Sequence, residues 1–337
     1  MSVLQVIWFL LIAVLLAVYA VLDGFDLGVG IWHPFAKGDA ERRKLLSLIG
    51  PVWDGNEVWL LTGGGALFAA FPHVYATVFS AMYLPLMLVL FGLILRAVSI
   101  KFRSMEEAPA WRRKWDAAFF VGSALPALLF GVAVGNILRG MPVGITRNFE
   151  GTLLTLLNPY SLLIGVTGFA MLAMHGALFI ALRAEGVLRE RARVWAGRAW
   201  LAFISLLGAS FAASLFLPQL RLNYLAFPPL WVLPVIVLGL AFAAGALNLR
   251  QAQAKAFLAS SLTVFGTMAL VMATIFPRMV YSLGRPGLSL TVANSSSSER
   301  TLGVMFVLAI IGMPIVIGYT IWAYRAFFGK AGNNSGY

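Results

Sequence analysis

Apolar runs long enough to cross a bilayer follow one another along almost the whole chain, broken only by short charged or Pro/Gly-rich segments. They fall at about 6–33, 51–71, 76–96, 116–138, 158–182, 197–217, 226–248, 256–277 and 303–327. Each is close to the ~20 residues that span roughly 30 Å of hydrocarbon as a helix. Of 337 residues, 61% are hydrophobic and 11% charged, against roughly 25% charged in soluble domains. A water-soluble globule is excluded. The pattern predicts an all-α integral membrane protein of about nine transmembrane helices packed as bundles, one integral-membrane domain over 1–337. No connection is long enough for a soluble domain. The second run carries Gly63, Gly64 and Gly65, read here as close helix packing rather than a break.

The distribution of basic residues orients these spans, because Lys and Arg in short loops favour the cytoplasmic side. Of 25 Lys and Arg, 19 fall in the connections after spans 1, 3, 5 and 7 and in the C-terminal tail; the other 6 lie in the alternate connections. In this count Arg96, the last residue of the third span, belongs to the loop that follows it. The N-terminus is therefore expected outside and the C-terminus in the cytoplasm. The net charge of +12 becomes a topology signal with some attraction to anionic lipid, and it calls for no nucleic-acid partner. Residues 6–33 follow no basic n-region and contain no A-x-A cleavage site, so they read as a retained span. The tryptophans lie mostly near span ends, as an aromatic belt requires. The connection 278–302, with its serine run Ser295–Ser298, is expected to be mobile.

Chemistry is confined to few residues. With no cysteine, thiolate metal sites, disulfides and thioether haem attachment are excluded. Three histidines, His33, His73 and His175, are too few for a multi-histidine metal centre or a bis-histidine haem helix. Eight of the thirteen carboxylates lie in loops; the other five are Asp23 and Asp26 in span 1, Asp54 and Glu57 in span 2, and Asp116 at the edge of span 4. A charge inside a membrane span costs at least about 2.5 kcal/mol and is a functional candidate by default.

Asp23-Gly24-Phe25-Asp26 and Asp54-Gly55-Asn56-Glu57 repeat one pattern, acid-Gly-x-acid, and positions i and i+3 share a helix face. At 1.5 Å per residue both pairs sit roughly 5 to 15 Å inside the cytoplasmic ends of consecutive antiparallel spans. The four acids are expected to converge on one polar, proton-holding cluster. The alternative is that they cap helix ends or bond loop amides. Asp116, after Arg112, Arg113 and Lys114, reads as an interfacial ion pair. His175 reads as a packing residue, a polar proton relay or a haem ligand.

Three motifs carry a resemblance: Asp23-Gly24-Phe25-Asp26-Leu27-Gly28-Val29-Gly30, then Gly50-Pro51-Val52-Trp53-Asp54-Gly55-Asn56-Glu57-Val58-Trp59-Leu60, then Gly64-Gly65-Ala66-Leu67-Phe68-Ala69-Ala70-Phe71-Pro72. In this order the chain resembles subunit II of the cytochrome bd quinol oxidases, of the bacterial or archaeal cytoplasmic membrane. The resemblance implies a non-haem chain, without catalytic, cofactor or metal ligands of its own. Its partner, subunit I, carries two b-type haems, one d-type haem and the quinol site. The complex oxidises quinol outside, reduces dioxygen to water and draws protons from the cytoplasm. By the same resemblance Asp54 and Asp23 match acids of the proton path, Asp26 shares the first motif, and Glu57 stands where other members carry Gln. A small single-helix accessory subunit, membrane quinone and lipids are further partners it brings in, and a structural quinone in this chain is left open. The competing reading is a proton-coupled transporter.

Overall fold

The computed structural model describes residues 1–327. The chain is almost wholly helical. Its helices are α1 (Val3–Trp32), α2 (Gly38–Ile49), α3 (Trp53–Ala70), α4 (Pro72–Ala81), α5 (Tyr83–Phe102), α6 (Pro109–Arg139) and α7 (Leu153–Leu156). There follow α8 (Pro159–Arg183), α9 (Gly186–Ser214), α10 (Pro218–Ala226), α11 (Val232–Leu249), α12 (Gln253–Ile275), α13 (Val292–Ser295) and α14 (Glu299–Phe327). A short antiparallel pair, β1 (Arg278–Val280) and β2 (Leu290–Thr291), lies between α12 and α13.

Eight of these helices are long and apolar enough to cross a membrane. The second expected span, α3, is not among them, because Asp54, Asn56 and Glu57 lower its hydropathy. It nevertheless runs unbroken through Gly63–Gly65 for 18 residues, about 27 Å at helical rise. The third span differs most from expectation. Pro72 opens a separate helix, α4, which stops at Met82, and α5 then runs from Tyr83 to Phe102 instead of 76–96. Proline is tolerated in a first helical turn, where no amide donor is needed, so Pro72 starts a helix rather than interrupting one. The shift carries Arg96 into the body of α5.

Helix α8 is the most enclosed span and α14 the least. The interfaces around α8 are built on small residues that bring backbones together. A Cβ on Gly28 of α1 would lie 2.3 Å from the Leu172 carbonyl oxygen, and one on Gly176 of α8 would lie 2.3 Å from the Gly28 carbonyl carbon. Between α5 and α6, a Cβ on Gly122 would meet the Arg96 amide at 2.7 Å. The expected role of the glycine run in α3 holds only for Gly63, which packs against Leu15 and Leu16; Gly64 and Gly65 face open space.

Two further expectations are corrected. The serine run is docked: the Ser297 amide and hydroxyl donate to the carbonyls of Ala70 and Ala69 at 2.8 and 2.6 Å, and Gln5 donates to Ser296 at 2.7 Å. The last carbonyls of a helix lack intrahelical partners, and Ser297 supplies two of them for α3. Three tryptophans, Trp8, Trp59 and Trp195, are buried rather than placed in a belt. Trp8 donates to the Leu302 carbonyl at 2.9 Å, and Trp195 stacks on Trp32 at 5.1 Å.

Candidate functional site

Helix α1 carries Asp23 and Asp26 one turn apart, both wholly buried. What receives them is a buried cation from α5. Arg96 is 0% exposed, and its Nη2 donates to Asp23 Oδ1 at 2.6 Å and also to Glu57 of α3. Asp26 takes a different partner: its Oδ2 accepts from Asn56 Nδ2 at 2.7 Å. Asn56 Oδ1 in turn accepts from the Tyr324 hydroxyl of α14 at 2.8 Å. The cluster therefore ties α1, α3, α5 and α14 together. Asp23 Oδ2, Asp26 Oδ1, and Arg96 Nε and Nη1 are buried there without a hydrogen-bond partner among the described residues.

Three of the four expected acids meet in this cluster, and Asp54 does not. It is exposed on the outward face of α3, with Oδ1 accepting from the Gly55 amide at 2.9 Å. Three residues turn a helix by 300°, so Asp54 and Glu57 point about 60° apart. Glu57 meets Arg96 with its side chain 25% exposed, while Asp54 turns to the surface. Exposure thus falls stepwise from Asp54 through Glu57 to Asp23. The cluster is also not a purely acidic one, because Arg96 offsets one of its three carboxylates.

A second arginine, Arg103, stands seven residues further on, capping the C-terminal end of α5. Arg103 donates through Nε to Asp116 at 2.5 Å and through Nη2 to Asp39 at 2.7 Å. Asp116 also accepts from Arg42 at 2.7 Å, and Asp39 pairs with Arg112 at 3.0 Å and Arg43 at 3.1 Å. Asp116 is thus the ion pair expected of it, though inside a network with its side chain 8% exposed. Partial burial pushes the Asp39 carboxyl up, but the Arg103 hydrogen bond and the charges of Arg103, Arg112 and Arg43 outweigh this and hold it below its ordinary value. His33 is buried with its Nε2 3.5 Å from Asp116.

His175 is spoken for on both sides. Its Nδ1 lies 2.7 Å from Ser260 Oγ, its Nε2 lies 3.0 Å from the Val21 carbonyl, and its ring stacks on Phe257 at 4.9 Å. As packed, neither nitrogen is open to an iron, so this residue does not fit a haem. His73 is exposed and stands apart from both clusters.

A cavity of about 420 Å³ lies among α1, α6, α8, α9 and α12. Its wall is almost entirely apolar. Tyr19 and Gly24 of α1 bring it to the edge of the Asp23 cluster, and Arg221, Tyr224 and Trp231 stand at the end where α10 lies.

Sequence reasoning missed Arg96, Arg103, Asn56, Tyr19 and Tyr324. For Arg96 a signal existed, a lone cation closing the apolar run Leu84–Leu95.

These features define a multi-pass α-helical membrane protein with a buried cluster of carboxyl groups and one arginine among its helices. The family model for cytochrome bd terminal oxidase subunit II matches residues 4–327. Cytochrome bd-I ubiquinol oxidase subunit 2 of Escherichia coli K12 is 37% identical, over 98% of this chain and 95% of its own. Cytochrome bd ubiquinol oxidase subunit 2 of Bacillus subtilis is 38% identical, over 97% and 96%. A probable cytochrome oxidase subunit 2 of Haemophilus influenzae is 36% identical, over 98% and 96%. A chain from the structure of the bd oxidase of Geobacillus thermodenitrificans shares the fold, with a TM-score of 0.78 at 18% identity, covering 97% of this chain and 99% of that one. The chain belongs to the cytochrome bd terminal oxidase subunit II family.

Proposed function

We propose that this chain is the non-haem subunit of a cytochrome bd-type quinol:oxygen oxidoreductase of the bacterial inner membrane, and that it delivers protons from the cytoplasm. The observation that carries the first part is the relationship to oxidase subunits along 98% of the chain. The haems, two of b type and one of d type, and the quinol site belong to subunit I in this reading. That His175 has both nitrogens engaged supports it. The reading places all nine helices, α3 included, across the bilayer, with the N-terminus outside and the C-terminus in the cytoplasm. The whole chain then acts as one membrane domain. The transporter alternative is not favoured, since the relatives are oxidase subunits over nearly their full length.

The proton-delivery part rests on the burial gradient. Asp54 is open to the surface, Glu57 is partly open, and Asp23 is closed, with Arg96 joining the last two. A proton taken up on a carboxylate oxygen of Asp54 passes to Glu57 on the same helix and on to the Asp23–Asp26 pair. Each carboxylate accepts on one side and releases on the other, and water bridges gaps that side chains leave. Arg96 keeps the inner carboxylates oriented and offsets their mutual repulsion. His175 has no part in this route. The apolar cavity suits the tail of a quinone or lipid held structurally, and the exposed faces of α3 and α14 leave room for subunit I and a small single-helix accessory subunit.

Purification in mild detergent tests the first part. A haem-rich partner, a d-type band in the reduced-minus-oxidised spectrum and quinol oxidase activity are expected. A colourless chain that purifies alone and intact overturns it. For the second part, Asp54→Asn is expected to slow oxygen reduction and proton uptake by roughly tenfold or more, the scale of a lost proton-transfer group, with near-normal haem content. Unchanged proton uptake in vesicles removes the relay role. Loss of haem in Asp54→Ala would instead assign Asp54 to capping or to the subunit interface.

A further inference from the structure

From Arg191 to Ser298 the chain contains no Asp or Glu. Within that stretch α11 turns into α12 over Arg250, Gln251 and Ala252, and the turn is tight enough that Gln251 adopts φ +60°. Arg250 and Lys255 are exposed on it. Asn248 fixes the turn against α9 by donating to the Arg193 carbonyl at 3.0 Å. Arg198, also exposed, lies on the adjoining turn of α9.

Two buried amides at this turn lack what they need. Gln253 is 3% exposed, yet neither its oxygen nor its nitrogen has a partner among the described residues, and the Asn248 oxygen is likewise unpartnered there. Buried polar atoms are almost always satisfied, so each such orphan calls for an ordered water or a bound group. Below the basic turn, Leu258 and Leu262 continue the face of Lys255 at i+3 and i+7, 58% and 46% exposed. A cationic rim, unpaired amide donors and acceptors, and an exposed apolar stripe thus follow one another along one end of α12.

We propose that the α11–α12 turn is a binding site for an anionic phospholipid with a hydroxylated headgroup. The phosphate sits on Arg250 and Lys255, with Arg198 adding to the field. Bridging water links the headgroup's phosphate and hydroxyls to the Gln253 amide and the Asn248 oxygen buried beneath the turn. The acyl chains lie along Leu258 and Leu262. Basic pockets between helices on the cytoplasmic face favour such lipids, and no ion pair engages Arg250 or Lys255 among the described residues, the nearby Glu190 being paired with Arg193.

The test uses the intact purified complex with phosphatidylglycerol and phosphatidylcholine as probes, and native mass spectrometry to count retained lipid. The wild type is expected to retain phosphatidylglycerol in preference to phosphatidylcholine. Arg250→Gln/Lys255→Gln is expected to weaken phosphatidylglycerol retention by about tenfold or more, and Gln253→Leu by a few-fold. The control Arg113→Gln/Lys114→Gln, which removes two exposed cations from α6, is expected to change little. Equal retention of both lipids by the wild type, or equal losses in the α11–α12 and control variants, overturns the site. Should the double variant fail to assemble, Arg250→Lys and Gln253→Leu decide it: the first must keep the preference and the second must lose part of it.

Discussion

Removing Arg96 would leave Asp23 and Glu57 facing each other without their cation. Breaking a buried ion pair on one side costs about 3–5 kcal/mol, so Arg96→Gln is expected to cut the yield of assembled, haem-loaded complex sharply. Arg96→Lys should restore only part, because an ammonium is more strongly hydrated than a guanidinium and costs more to bury. Haem content per purified complex measures both; full assembly of Arg96→Gln would show that the cluster is not held by this cation. Asp39 gives a prediction in pH. Its carboxyl is held below its ordinary value in the folded state. It therefore stabilises above the unfolded value of about 4, and that contribution is lost as pH falls through the lower folded value. Melting curves between pH 7 and pH 3 should show a shallower acid loss in Asp39→Asn than in the wild type. The difference should shrink at high salt, since Asp39 is one-third exposed.

At the scale of elements, the α1–α8 crossing is the least forgiving contact. A methyl on Gly28 would stand 2.3 Å from the Leu172 oxygen and 2.6 Å from Gly176 Cα, so Gly28→Ala must push two backbones apart. The cost expected of such overpacking is about 1–3 kcal/mol, read as a lower melting temperature of the complex. Gly64→Ala, which meets open space, should be neutral if the chain's own packing decides. Much of this architecture was legible in the sequence, because hydropathy alone marks eight of the spans. The rest depended on details that hydropathy does not carry. Pro72 and the stop at Met82 moved α5 toward its C-terminus, which turned Arg96 from a loop residue into a buried one. The acid-Gly-x-acid spacing put Asp23 and Asp26 together inside α1, but on α3 a 60° offset is enough to send Asp54 outward, away from Glu57. The serine run looked mobile by composition, and its hydroxyls instead complete the end of α3.

For the whole molecule, the asymmetry of 19 against 6 basic residues in the sequence, or 18 against 6 once Arg96 is placed inside α5, makes an orientation that can be tested. A reporter fused after Phe327 is expected to be active in the cytoplasm, and one inserted in the connection between α12 and α14 is expected to be active outside. The opposite pattern would invert the route assigned to Asp54. Arg96 of α5 and Arg103 at its C-cap bear on how such a chain is made. Arg96 joins α1 to α3, and Arg103 joins the α2 segment to α6. Synthesis runs from the N-terminus, so Asp23, Asp26 and Glu57 leave the ribosome before the guanidinium that neutralises them exists. Until α5 follows, α1 and α3 carry uncompensated acids, each costing about 2.5 kcal/mol or more in hydrocarbon. The docking of α1 against α3 is therefore expected to wait on α5, and a chain truncated ahead of Arg96 is expected to be cleaved faster by added protease than one truncated after Phe102.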